Sequence, residues 1–179
     1  MNRGVFLDRD GVINDDIGYV GTREQFRFLP DIFEFCRQAE SKGYLIFVVT
    51  NQAGIAKGYY TEDDYRVLNQ WMLKQFRMER VHIAATYYCP FHLEATVAAY
   101  KQDSFDRKPS PGMILKAQQE FSVDVSRSLL IGDKDSDMEA GRRAGIKHLV
   151  FLVGKYPYTE CADVKIIQNI LEAAPLLHE

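Results

Sequence analysis

Cysteine is scarce in this chain. Cys36, Cys89 and Cys161 are three in 179 residues, odd in number and far apart. That excludes a disulfide framework, and without a CxxC pair the expected setting is a reducing compartment, the cytoplasm. Long apolar runs are missing too: none reaches the ~18 residues that a membrane span needs. The opening "MNRGVFLDRD" lacks the apolar centre of a signal peptide, so no membrane partner is expected. A basic surplus is absent as well. Lys and Arg total 22 against 25 Asp and Glu, a net charge of −3, which argues against a nucleic-acid partner. Repeats, low-complexity tracts and linkers are absent. A chain of this length suggests one domain, residues 1–179; a monomer is expected.

What is present is an alternation of strand and helix. Apolar runs at 3–8, 44–51, 82–89, 127–133 and 147–153 read as strands. Between them lie segments with helical spacing. Residues 30–43 carry Ile32, Phe35, Cys36 and Ala39 on one face, with Asp31 as N-cap and Gly43 as stop. "TEDD" at 61–64 opens a helix to about Met78 through a capping box. Ser110 as N-cap and Pro111 at the first helical position start a helix over 110–121. Further helices are expected over 136–145 and from about Ile166 to Leu177. This order predicts an α/β fold, a Rossmann-like parallel sheet with helices on both faces. Such sheets bind ligands beyond the carboxyl ends of their strands, so the polar residues there carry the interest.

Four clusters sit at such ends. The first strand runs into Asp8 and Asp10, with Gly11 behind. A plain turn also uses Asp and Gly, but alternation along an extended chain puts Asp8 and Asp10 on one side. Two acids there suit a nucleophile and an acid/base beside Mg²⁺, a hard cation that brings substrate phosphate with it. An EF-hand is excluded, because Val12 and Ile13 stand where further acids and the loop glycine belong. Thr50 and Asn51 end the second strand and lead into "QAGIAKGYY"; a hydroxyl, an amide and free backbone N–H groups can hold phosphate oxygens. No GxxxxGK[ST] loop occurs. Arg107 and Lys108 form a basic pair in a loop; Lys108 beside a phosphoryl group would stabilise transition-state charge, and the Arg107 fork suits a second phosphate or a sugar hydroxyl. "GDKDSDMEAG" puts Asp133 at a strand end, where it is placed to complete a Mg²⁺ site with Asp8. Asp135 and Asp137 complement a helix N-terminus, with Asp137 set for support rather than ligation.

Taken in order, "FLDRDG" (6–11), "VVTNQ" (48–52), "RKPSPG" (107–112) and "IGDKDSD" (131–137) resemble the haloacid dehalogenase-like phosphatases over the whole chain. The resemblance implies a compact fold without a large cap domain. It implies Asp8 as nucleophile, Asp10 as general acid/base, and Thr50 and Lys108 as stabilisers of the phosphoryl group. Mg²⁺ would sit on Asp8, the main-chain carbonyl of Asp10, and Asp133. Longer matches, "LDRDGVINDDIGYV", "VVTNQAGIAKGYYTEDDY", "YYCPFH" and "IGDKDSDMEAG", are similar to the branch acting on D-glycero-D-manno-heptose 1,7-bisphosphate at the 7-phosphate. That implies carbohydrate metabolism, including lipopolysaccharide synthesis. It also implies substrate contacts from Asp16, Ile17, Gly18 and Tyr19, from Asn51, Gln52 and Ala53, and from Arg107 and Lys134.

The chain departs from that branch in one loop. Members carry a structural zinc on Cys-x-His and Cys-x-Cys; here the pairs read Cys89-Pro90-Phe91 and Ser104-Phe105-Asp106, with His92 one place late. Four ligands in a tetrahedron are the rule, so zinc is expected to be absent and Phe91, Tyr100 and Phe105 to pack the loop. Rival readings are a histidinol-phosphate phosphatase, which "DDIGYV" disfavours, another small phosphosugar phosphatase, and a polynucleotide 3′-phosphatase, which the negative charge disfavours. A phospho-accepting receiver domain needs an acid at the middle strand end, where this chain has Thr50 and Asn51.

Overall fold

A computed structural model describes residues 1–159 and 161–178. The expected parallel sheet is there. Its strands are β1 (Arg3–Leu7), β2 (Tyr44–Asn51), β3 (Ile83–Cys89), β4 (Leu129–Gly132), β5 (His148–Leu152) and β6 (Val164–Ile167), in the order β3-β2-β1-β4-β5-β6. All five pairings are parallel. The chain builds outward from β1 to β3, then crosses back to β4 and builds the other way. The switch point lies between β1 and β4, so the crevice for a ligand opens where these two strands end.

Strand alternation divides the apolar residues between two cores. Val5, Leu7, Ile46, Val48, Leu129 and Ile131 face one side, where α1 (Ile32–Ser41) and α3 (Glu62–Met78) pack. Phe6, Phe47, Val49, Leu130 and Phe151 face the other, with α4 (Gly112–Phe121) and α5 (Asp135–Ala144). Both faces are buried, which is why the strands read as continuous apolar runs. A short helix, α2 (Ala53–Ala56), follows β2 directly.

Helix ends match the sequence signals unevenly. Thr61 and Asp64 form the expected capping box. Asp31 occupies the N-cap of α1, but its φ is 66° and its carboxylate accepts a hydrogen bond from Asn169 instead of capping. Pro111, not Ser110, is the N-cap of α4, and Gly112 is its first residue. The helix expected from Ile166 to Leu177 does not form. The β-branched run around Val164, Ile166 and Ile167 adds edge strand β6, and a 3₁₀ segment, Ile170–Leu176, follows with Pro175 inside it. Strand propensity and an available sheet edge outweigh the helical spacing there.

Candidate active site

Asp8 continues the line of β1, its N–H donating to the Ile131 carbonyl of β4 at 3.1 Å. Its side chain is buried, and Oδ1 accepts from the Arg9 N–H at 2.8 Å and from Lys108 Nζ at 2.9 Å. Lys108 Nζ also donates to the Val49 carbonyl at 2.8 Å and pairs with Asp137 Oδ1 at 2.5 Å. One ammonium therefore ties the ends of β1 and β2 to α5. Burial alone would push Lys108 below its ordinary range; the carboxylates of Asp137 and Asp8 reverse this and hold it above. Asn51 fixes the lysine's backbone: its amide donates to the Lys108 carbonyl and accepts from the Lys108 N–H, both at 3.0 Å.

Asp133, at the end of β4, is buried with no hydrogen-bond partner for either carboxylate oxygen. Burial, with the charges of Asp8 and Asp137 beside it, pushes its carboxyl up to about 8. Among the described residues, the grouping whose ligand atoms lie within 4.8 Å of one another is Asp8, Asp133 and Asp137. Asp137 is already engaged: Oδ1 faces Lys108, and Oδ2 accepts from the N–H groups of Asp133 and Lys134, which caps α5. An orphaned buried carboxylate next to a second one costs several kcal/mol per ion unless a cation joins them. The Asp8–Asp133 pair therefore fits a hard cation such as Mg²⁺, and Asp137 supports it. Two glycines leave room. Gly11 turns at φ 95°, and a Cβ there would lie 2.0 Å from Asp133 Oδ2; one at Gly132 would lie 2.2 Å from the Asp137 Cβ.

Asp10 reaches the cleft by a different route from the one alternation suggests. β1 ends at Leu7, and residues 9–14 form a turn in which the Arg9 carbonyl accepts from the Val12, Ile13 and Asn14 N–H groups. The turn, not an extended strand, brings Asp10 round to the side of Asp8. Three side chains then orient it. Asp10 Oδ1 accepts from Arg9 Nη2 and Asn14 Nδ2, both at 2.9 Å, and Oδ2 from Gln52 Nε2 at 3.1 Å. Arg9 is buried, donates to the Val20 carbonyl at 2.6 Å, and lies near the Phe26 and Tyr65 rings.

Gln52, expected among substrate contacts, is instead buried between Asp10 and Thr50. It donates to Thr50 Oγ1 at 2.8 Å as well as to Asp10, and accepts from the Tyr60 hydroxyl at 2.5 Å. Thr50 is fully buried at the end of β2.

A cleft of about 580 Å³ opens above these groups, lined by Asp8, Asp10, Asn51, Ala53, Lys108 and Asp137 at its base. Its rim carries Asp16, Gly18 and Tyr19 on one side and Arg107 and Lys134 on others. Ile17 points outward, 54% exposed, and does not line it. Sequence reasoning missed Lys57, Tyr60, His92, Lys155 and Tyr156, which also line the cleft. Only the KGYY stretch (57–60) after α2 hinted at the first two.

The rim is strongly cationic. Lys134 and Lys155 face Asp16 at 3.5 and 3.6 Å, and Lys57 donates to the Tyr19 hydroxyl at 2.6 Å. Burial would depress Lys134, but Asp8, Asp133 and Asp16 hold it above its ordinary value. Arg107 donates to the Phe91 carbonyl at 3.4 Å, and burial pushes it down. The neighbouring loop turns its donors elsewhere. Cys89 Sγ faces the Phe91 carbonyl, His92 Nδ1 accepts from the Glu94 N–H, and Asp106 pairs with Lys116.

A buried aspartate bridged by a lysine, a second acid two residues on and an unpaired acid at the adjoining strand define a haloacid-dehalogenase-like hydrolase on this fold. Residues 105–173 match the HAD-hydrolase-like family model. A D-glycero-α-D-manno-heptose-1,7-bisphosphate 7-phosphatase of Burkholderia mallei is 54% identical over 81% of this chain and 77% of its own length. A β-anomer 7-phosphatase of Rhodopseudomonas palustris is 48% identical over 79% and 78%. The chain belongs to this heptose-bisphosphate phosphatase family and is a phosphatase. A D,D-heptose 1,7-bisphosphate phosphatase from B. bronchiseptica, complexed with magnesium and phosphate, shares the fold at TM-score 0.80 and 22% identity, over 98% of this chain and 97% of that one.

Proposed function

We propose that this enzyme removes the 7-phosphate of D-glycero-D-manno-heptose 1,7-bisphosphate through an aspartyl-phosphate on Asp8. The observation that carries the reading is the orphaned Asp133 beside a lysine-bridged Asp8, because a cation and a nucleophile are wanted at one point. Asp8 attacks the phosphorus in line. Asp10 gives a proton to the departing sugar oxygen, then takes one from the water that hydrolyses the intermediate. Lys108 and Thr50 stabilise the oxygens of the transferring group. Asp8, Asp133 and the Asp10 carbonyl would hold Mg²⁺, which when bound neutralises phosphoryl charge.

The cationic rim supports a substrate with two phosphates. Lys57, Arg107 and Lys155 line the cleft in addition to Lys108 and Lys134, more positive charge than one phosphate requires. The engaged donors of Cys89, His92 and Asp106 support a loop that holds without zinc. In this reading the enzyme is a cytoplasmic single-domain monomer with no nucleic-acid or membrane partner. Relatives act on either anomer by name, so both belong in the test. Phosphate release with Mg²⁺ is compared for both anomers of the bisphosphate, histidinol phosphate and a 3′-phosphorylated oligonucleotide. One heptose bisphosphate anomer should be the preferred substrate. Preference for histidinol phosphate or the oligonucleotide would overturn the substrate.

A further inference from the structure

The loop that departs from its relatives, residues 90–106, lacks a metal quartet but not an anchor. Glu62, the first residue of α3, is half-buried beneath it. Its two carboxylate oxygens take two different tyrosines. Oε1 accepts from the Tyr88 hydroxyl at 2.6 Å, and Oε2 from the Tyr100 hydroxyl at 2.9 Å. Tyr88 lies at the end of β3, where the loop leaves the sheet, and Tyr100 lies near the far end of the loop. One charged acceptor therefore ties the loop's exit and its return to the same helix start. Hydrogen bonds to an ionised acceptor are the stronger kind.

The tie reaches the cleft in two short steps. The Tyr100 carbonyl accepts from the His92 N–H at 3.0 Å, and the Tyr100 ring lies 6.0 Å from the Phe91 ring. The Phe91 carbonyl receives Arg107, and His92 and Arg107 both line the cleft. On the facing side, the Thr96 and Val97 N–H groups donate to the Ala56 carbonyl at 3.0 Å each, next to Lys57. Glu62 thus sits at the junction of the segments that carry two of the rim's cations, Arg107 and Lys57.

We propose that Glu62 is a positioning residue for substrate recognition, holding the 90–106 loop in the register that aims Arg107 and His92 into the cleft. It touches no reacting atom and acts through Tyr100 and Phe91. The role rests on the two-phosphate reading for its consequence, but the loop tie itself does not.

Two readouts separate these. The first needs no substrate: amide hydrogen exchange in Glu62→Ala and in Tyr100→Phe. Faster exchange across 90–106, with β1 and β4 unchanged, is expected; unchanged exchange in the loop overturns the proposal. The second compares the heptose bisphosphate with p-nitrophenyl phosphate, a monophosphate with no second phosphate for Arg107 to hold. Both variants should raise KM for the bisphosphate roughly threefold to tenfold while kcat stays within about twofold. Neither parameter should change for p-nitrophenyl phosphate. Glu62→Gln, which keeps one acceptor oxygen, should recover part of the KM, and Tyr100→Phe should add little in the Glu62→Ala background. Equal losses on both substrates would mark a general structural role and overturn the proposal. If the loop loosens but the wild type shows no preference for the bisphosphate, the tie stands and the substrate reading fails. Tyr100→Phe removes one hydroxyl from a partly exposed ring, so the test survives if Glu62→Ala does not fold.

Discussion

The base of the cleft and its rim are built in different ways. At the base, Asp8, Lys108, Asp133 and Asp137 are buried, the aspartates at strand or helix ends and the lysine in the loop before α4, and they hold one another through contacts of 2.5–3.2 Å. At the rim, Asp16 meets its lysines at 3.5–3.6 Å, the rings of Tyr19 and Tyr59 meet at a tilt in the open, and Arg107 rests on a single carbonyl. The base is preorganised for charge, as phosphoryl transfer requires. The rim is adjustable, and that is where relatives of the same chemistry can differ in substrate.

Breaking the base should cost most. Asp8→Asn should lower turnover by roughly 10⁴-fold or more, since it removes the proposed nucleophile, with circular dichroism unchanged; phosphate release is the assay. Asp10→Asn should lower kcat roughly 10²–10⁴-fold, the range for a general acid/base. Arg9→Met leaves Asp10 without its buried partner. It should cost about 3 kcal/mol of stability, read as a Tm lower by roughly 6–12 °C. Asp133→Asn removes the unpaired buried charge. Mg²⁺ at a hundred times its Kd should stabilise the wild type by about 2.7 kcal/mol, and this gain should vanish in the variant when the two are melted with and without the ion. The smallest effect sharpens the boundary between base and rim. Tyr60→Phe frees Gln52 from its 2.5 Å hydrogen bond and should lower kcat roughly threefold to tenfold, leaving KM nearly unchanged. A change confined to KM would move Tyr60 to the rim.

The base was legible because its residues sit within short motifs at strand ends. Asp8, Thr50, Lys108 and Asp133 each follow an apolar run or sit in a motif that the parallel sheet brings to one edge. The sheet was equally legible, since buried strands leave continuous apolar runs. What stayed hidden depends on contacts between segments far apart in the chain. Asn51 reads as a phosphate ligand, yet its amide is spent on the Lys108 backbone 57 residues on. Gln52 reads as a substrate contact, yet it bridges Asp10, Thr50 and Tyr60. Arg9 looks like a spacer between two acids and is the buried partner of one of them. The end of the chain misled for another reason: Ile166 and Ile167 fit a helical spacing, but a free sheet edge was there to take them.

The central claim, a covalent phosphate on Asp8, is tested most directly by trapping it. Asp10→Asn should slow hydrolysis of the intermediate. Its formation from p-nitrophenyl phosphate needs no proton for the leaving group. Acid quench, proteolysis and mass spectrometry should then find one phosphate on the peptide bearing Asp8, and none in Asp8→Asn/Asp10→Asn. Release of p-nitrophenol with no phosphate on that peptide, or phosphate on a different aspartate, would contradict the account.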